Sequence, residues 1–253
     1  MPSKSPRFVA IVTGAAQGIG AATVRQLVTH GYYVSLVDRN PEALQQAARD
    51  LPQDLVHTIV ADVSSAADMQ RMADETIDRF GAIDALHANA AINGAGGPTR
   101  FADPGDFDLV MGVNVRGAMI TMQAVLPTML AQGRGSIVFT ASAAGLRASP
   151  QLGVYSVSKF ALIGLMKNAA ADLGPAGIRV NAVAPGLTDT PAYRRVVQQG
   201  KASGERNIFE KRTLPLGRIG EADEVAEAVH WLLSDAARYV TGAVLSVDGG
   251  LIL

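Results

Sequence analysis

Cysteine is absent from the chain, so disulfides and thiol chemistry are excluded from the start. The lack is consistent with a reducing cytosol, and a cytoplasmic location is the expectation. Histidine is scarce. His30, His57, His87 and His230 are scattered without ligand spacing, so no catalytic metal site is expected. Charge of one sign is lacking as well: the formal net charge is -1, which leaves no electrostatic footprint for nucleic acid. No apolar run reaches the ~18 uninterrupted residues of a membrane span. The stretch from Met1 to Arg7 has neither a long apolar region nor a small-residue cleavage site, so it does not read as a signal peptide. Internal repeats and low-complexity linkers are also missing.

What is there is apolar and evenly spread. Of 253 residues, 48% are hydrophobic, enough for a sizeable core in one large domain or two small ones. Short continuous apolar runs rich in β-branched residues read as strands buried on both faces: Phe8 to Val12, Tyr33 to Val37, Leu55 to Val60, Ile83 to Ala88, Ser136 to Thr140, Ile178 to Ala184 and Ala243 to Val247. Helical patterns separate them. They run from Gly20 to about His30, Pro41 to Leu51, Asp68 to Phe80, about Pro104 to Gln132, Val154 to Leu173 and Glu221 to Leu233. This alternation predicts the α/β class: one domain of about seven strands in a doubly wound, mostly parallel sheet with helices on both faces. Such a sheet binds ligands beyond the carboxyl ends of its strands. Gly14 to Gly20, Asp38, Asp62, Asn89, Ser142 and Pro185 all fall just after predicted strands.

Two clusters carry chemistry. The first is Ser142, just past an apolar strand, with Tyr155 and Lys159 four residues apart on one helix face. A phenol has an unperturbed pKa near ~10. A neighbouring ammonium favours the phenolate, so the pair can act as acid and base on an alcohol or ketone. Taken alone, a Tyr and Lys at this spacing also describe a surface pair. The second is the turn Gly14, Gln17, Gly18, Ile19 and Gly20, with Thr13 before it. Its glycines permit a tight turn and a close approach of backbone to a pyrophosphate, which the amides of the following helix favour. They would equally serve a plain tight turn. Asp38 ends the next strand where a carboxylate bonds adenosine ribose hydroxyls and repels a 2′-phosphate. Arg39 beside it could stack on adenine or pair with a phosphate. NAD is therefore expected over NADP. The alternative is that Asp38 only opens the turn before Pro41.

Together these residues resemble the short-chain dehydrogenase/reductase family over nearly the whole chain. The motifs are Thr13-Gly14-x-x-x-Gly18-x-Gly20, Asp62-Val63, Asn114, Ser142, Tyr155-x-x-x-Lys159 and Pro185-Gly186. The resemblance implies a Rossmann-like domain, with 6–90 mainly cofactor-binding and 91–253 holding the catalytic residues. It implies a catalytic set of Asn114, Ser142, Tyr155 and Lys159. In that set Tyr155 would exchange the proton and Ser142 would polarise the reacting oxygen. Lys159 would lower the tyrosine pKa and bond the nicotinamide ribose, and the Asn114 carbonyl would hold a water. Asp62 and Val63 would flank the adenine, Asn89 and Ala90 would lie under the adenosine half, and Pro185, Gly186 and Thr188 would face the nicotinamide. One departure stands out: the usual Asn-Asn-Ala-Gly is here Ala88 to Ala91, and Ala91 brings a Cβ where glycine is usual.

The substrate end says less. Residues 187–213 occupy the family's substrate loop. Tyr193, Arg194, Arg195, Lys201, Arg206, Phe209, Lys211 and Arg212 stand there against Asp189, Glu205 and Glu210. The basic excess would guide an anionic substrate or simply be solvated. Ile92, Asn93, Ala143 to Leu146, Gln151, Leu152 and Leu187 would line a mostly small and apolar pocket. Apolar stripes at Met111, Val115, Met119 and Met122 and at Phe160, Ile163, Leu165 and Met166 imply, through the resemblance, a homotetramer or failing that a dimer. The C-terminal residues Leu251 to Leu253 join that expectation. The leading reading is an NAD-dependent oxidoreductase acting on a secondary alcohol or ketone. An epimerase or dehydratase on the same scaffold, and a cofactor-sensing protein without chemistry, are the alternatives.

Overall fold

The computed structural model describes residues 8–202 and 214–253. The segment Met1 to Arg7 lies outside the described residues. So do Glu205, Arg206, Phe209, Glu210, Lys211 and Arg212 of the expected substrate loop, and the side chain of Lys201.

Seven strands form one sheet. In chain order they are β1 (Val9–Thr13), β2 (Tyr33–Asp38), β3 (Val56–Val60), β4 (Ala85–Ala88), β5 (Gly135–Thr140), β6 (Ile178–Pro185) and, last in the chain, β9 (Val244–Val247). Across the sheet they lie in the order β3-β2-β1-β4-β5-β6-β9, with every pairing parallel. Parallel strands must be joined by crossovers, and among the described residues eight α-helices accompany them: α1 (Gly18–Thr29), α2 (Pro41–Ala48), α3 (Ala66–Phe80), α4 (Pro104–Met111), α5 (Ala118–Gln132), α6 (Gly153–Leu173), α7 (Pro191–Ala202) and α8 (Ala222–Leu233).

The two faces of the sheet bury different side chains of the same strands, as a period of two requires. Ile11, Leu86, Ile137 and Phe139 pack with α3, α5 and α6 through Met69, Met72, Val125, Leu162 and Met166. Val12, Leu36, Val138 and Val183 pack with α1, α2 and α8 through Val24, Leu27, Leu44, Val225, Val229 and Leu232. The order reverses between β1 and β4, so their carboxyl ends diverge and leave a crevice there. The site is built at this edge.

Two features depart from the sequence reading. The expected helix from Pro104 to Gln132 is interrupted by a π-helical turn, Gly112–Gly117, centred on Asn114. As a whole this run is long and apolar enough to cross a membrane by composition, yet Val110, Ala118, Met122, Val125 and Met129 are buried within the protein. The chain also forms a second, two-stranded parallel sheet from β7 (Thr188–Asp189) and β8 (Gly220–Glu221). It ties the start of the substrate-loop region to the N-terminus of α8.

Candidate active site

Lys159 is the anchor. It lies on α6, is 1% exposed, and donates from Nζ to the Thr140 carbonyl at 2.7 Å. Thr140 ends β5, so the lysine is fixed to the carboxyl edge of the sheet. Its Nζ sits 5.4 Å from the centre of the Tyr155 ring one turn earlier. Burial pushes the Lys159 ammonium down to about 7. Tyr155 is only partly exposed. Burial raises its phenol, and a side-chain hydrogen bond with Ser142 pulls it back. The expected lowering by Lys159 is therefore not what this structure shows: desolvation outweighs the other influences on both groups.

Ser142 follows β5 by two residues. Its hydroxyl also accepts from the Ala144 amide at 3.1 Å, which caps the short 3-10 turn Ala143–Gly145. That turn lies hard against α6. A Cβ at Gly145 would come within 2.8 Å of the Lys159 carbonyl carbon. The Ser156 hydroxyl closes the same contact by donating to the Ala144 carbonyl. Ser142, Tyr155 and Lys159 are thus brought together by two elements that touch through glycine.

Asn114 is 1% exposed, and its side chain is fully engaged. Its Oδ1 accepts from the Ile92 amide at 2.8 Å, while Nδ2 donates to the Ile92 carbonyl at 2.9 Å and to Ser158 Oγ at 3.0 Å. Ser158 in turn donates to the Tyr155 carbonyl at 2.7 Å. The side chain therefore clamps the loop after β4 to the catalytic helix. π-helical turns are frequent at functional sites, and this one carries Asn114.

The glycine turn sits across the crevice. Gly14 and Gly18 have φ of +64° and +56°, a region that other residues rarely adopt. A Cβ at Gly20 would lie 2.1 Å from the Gly14 carbonyl oxygen. α1 begins here without a side-chain cap and with no acidic residue in its first turn; Gln17 is extended and caps nothing. By contrast, α2, α3, α4 and α8 are capped by Asn40, Ser65, Asp103 and Glu221. The uncapped amides around Gly18, Ile19 and Gly20 suit an anion, so the residues present fit a dinucleotide pyrophosphate.

The other expected cofactor positions fall along the same edge. Asp38 accepts from the Ala16 amide at 3.2 Å and the Asn40 amide at 3.1 Å, while Arg39 is exposed. Asp62 is held through Oδ1 by the Ser64 amide and hydroxyl, and Val63 is buried beside it. Asn89 donates to the carbonyls of Thr13 and Gly14, and Thr13 Oγ1 accepts from the Asn89 and Ala90 amides. Ala91 is accommodated without strain, since no described residue other than glycine has positive φ. Gly186 donates to the Val247 carbonyl, and a Cβ there would meet Asp248 Cα at 2.7 Å. Thr188 is buried in β7. Of the basic residues expected near the substrate, Arg194 is paired with Asp189 by two contacts of 2.7 and 2.8 Å.

Comparison with known proteins decides the family. A family model described as Enoyl-(Acyl carrier protein) reductase matches residues 14–252. Levodione reductase of Leifsonia aquatica is 38% identical over 98% of this chain and 96% of its own length. The chain is a short-chain dehydrogenase/reductase. Other members of the family are similar throughout. The 2,5-dichloro-2,5-cyclohexadiene-1,4-diol dehydrogenase of Sphingobium indicum is 39% identical over 95% of both chains. The crystal structure of NAD+-bound xylitol dehydrogenase superposes with a TM-score of 0.90 at 35% identity, covering 98% of this chain and 100% of that one. Membership of this family makes the protein an oxidoreductase.

Sequence reasoning missed four residues hydrogen-bonded around the site: Thr140, Ser156, Ser158 and His87. The signal for Thr140 and His87 was present as polar residues inside otherwise apolar strands. Ser156 and Ser158 flank the helix positions of Tyr155 and Lys159, where a small hydroxyl residue reads as filler.

Proposed function

We propose that the protein is an NAD-dependent oxidoreductase that interconverts a secondary alcohol and a ketone, in the cytoplasm. The observation that carries this reading is the buried Lys159, fixed to Thr140 and set 5.4 Å from the centre of the Tyr155 ring, with Ser142 near enough to the phenol to pull its pKa down. A binding protein without chemistry has no need to bury an ammonium at that cost. Relatives named for a cyclic diol, for xylitol and for levodione reduction support an alcohol or its carbonyl partner as substrate.

The nicotinamide dinucleotide, when bound, supplies or takes up the hydride. The chain's own residues do the rest. Ser142 holds the substrate oxygen beside the phenol. Tyr155 gives its proton to that oxygen in reduction and takes it back in oxidation. Lys159, when charged, favours the phenolate and bonds the nicotinamide ribose. Asn114 keeps the loop after β4 locked to α6, so that Tyr155 stays in register with the crevice, and its backbone carbonyl holds the water that links Lys159 to solvent. Gly14 to Gly20 and the start of α1 receive the pyrophosphate. Asp62, Val63, Asn89 and Ala90 border the adenosine half, and Pro185, Gly186 and Thr188 the nicotinamide half.

Asp38 is the basis for NAD. Its carboxylate lies at the tip of β2 and position 16 beside it is alanine, so repulsion of a 2′-phosphate by Asp38 is opposed only by the exposed Arg39 next to it. The test is a near-ultraviolet absorbance screen with NAD and NADP against secondary alcohols, cyclic diols, sugars and hydroxyacyl thioesters. We expect turnover with NAD, and a fall in the NAD over NADP preference of roughly tenfold or more in Asp38→Ala. An unchanged preference in that variant would remove Asp38 as the discriminator.

A further inference from the structure

His87 is the one buried side chain in the described residues with a polar atom left over. It is fully buried on β4, and its Nδ1 has no hydrogen-bond partner. We propose that His87 is a positioning residue which, through Thr140 and Asn89, fixes the Gly14 turn on which the cofactor rests. The inference depends on the dinucleotide reading above and goes beyond it.

The direction of each hydrogen bond follows from counting protons. The Asn89 amide nitrogen is committed to the Thr13 carbonyl at 3.0 Å and the Gly14 carbonyl at 3.3 Å. Its Oδ1 must therefore accept, and Thr140 Oγ1 donates to it at 3.0 Å. A hydroxyl has one proton, so Thr140 can only accept from His87 Nε2, which lies at 2.8 Å. The imidazole is thus the Nε2–H tautomer, neutral, with Nδ1 bare. Burial agrees, pushing its pKa down to about 3. The chain of donors runs one way, from His87 to Thr140 to Asn89 to the Gly14 turn.

The far end of this chain is tight. A Cβ at Gly14 would meet Asn89 Nδ2 at 3.0 Å, and one at Gly20 would meet it at 2.8 Å. The amide therefore fills the space between the two glycines, and a rotation of it would move the turn. The near end is shared with catalysis, because the Thr140 carbonyl holds Lys159. An apolar residue at position 87 would fill the strand without an orphaned Nδ1, but it would leave Thr140 Oγ1 without a donor. The donor to Thr140 is what the imidazole adds.

The test uses the full chain and reads NADH binding by fluorescence titration, with hydrogen exchange of residues 13–21 measured without cofactor. His87→Leu and Thr140→Val are each expected to weaken NADH binding on the order of tenfold, the equivalent of one hydrogen bond. The double variant should be no weaker than either single, since both break one chain. Exchange in 13–21 should rise in both. His87→Gln, which keeps an N–H donor of similar reach, should stay within about threefold of the wild type. Wild-type affinity and exchange in the Leu and Val variants would overturn the proposal. So would a Gln variant as weak as Leu, since only packing would then matter. If His87→Leu does not fold, the near-isosteric Thr140→Val decides. A wild-type protein that binds neither NADH nor NADPH would instead overturn the cofactor reading, and this inference with it.

Discussion

Tyr155 and Lys159 set the pH behaviour between them. Burial holds the phenol above its ordinary value and brings the ammonium down to about 7. At neutral pH the tyrosine is therefore protonated, which is the form that gives a proton to a carbonyl oxygen. Alcohol oxidation needs the phenolate, and a raised pKa makes that form scarcer until the solution is alkaline. We expect kcat/KM for oxidation to climb from about pH 6 up to about pH 10 and beyond, and that for reduction to hold level through neutral pH and fall only as the solution passes about pH 10. The check is a pH profile in both directions on one alcohol and ketone pair. An oxidation profile flat across that range would show that the proton does not pass through Tyr155. The tyrosine, lysine and serine were legible in the sequence because their spacing is local. The burial that inverts the expected pKa balance was not, since it comes from strands and helices distant in the chain.

At the scale of elements, the site depends on one contact: the 3-10 turn Ala143–Gly145 pressed on α6. Gly145 has no conformational need to be glycine, as its φ is not positive. It is glycine because a Cβ there would sit 2.8 to 2.9 Å from the backbone and Cβ of Lys159. Gly145→Ala is therefore expected to push α6 from β5, to cost about 1–3 kcal/mol of stability and to lower kcat more than it raises KM for NAD. A denaturant melt and steady-state kinetics check both parts. A variant as stable and as fast as the wild type would show that the contact is slack. Elements of this size are where sequence reading runs short. Every strand of the main sheet announced itself, since burial on both faces requires a continuous apolar run. The two-residue strands β7 and β8 have no period to detect. The π-helical turn at Asn114 hides inside an apolar helical pattern, because one inserted residue shifts the phase without changing the composition.

Over the whole molecule, the reversal between β1 and β4 places the glycine turn and the Ser142, Tyr155 and Lys159 group on one edge, and the alternation of strands and helices made that much predictable. What the single chain leaves uncovered points to assembly. Met122 and Met166 of the expected interface stripes are core residues, but Phe160 stays 48% exposed, with Phe107, Leu109 and Val157 on the neighbouring α4 and α6 surface. Helices apolar on the outside are buried by something, and a symmetric copy is the simplest partner. We expect a homotetramer, or a dimer, by sedimentation, and a shift toward smaller species in a Phe107→Glu, Phe160→Glu double variant. A monomeric wild type would contradict this. The central claim remains the phenol as proton carrier over an intact cofactor site. Its most direct test is Tyr155→Phe, with NADH binding and turnover measured on the same preparation. The account predicts NADH affinity within about threefold of the wild type and a loss of turnover of at least about a hundredfold. Turnover that survives the substitution would contradict it.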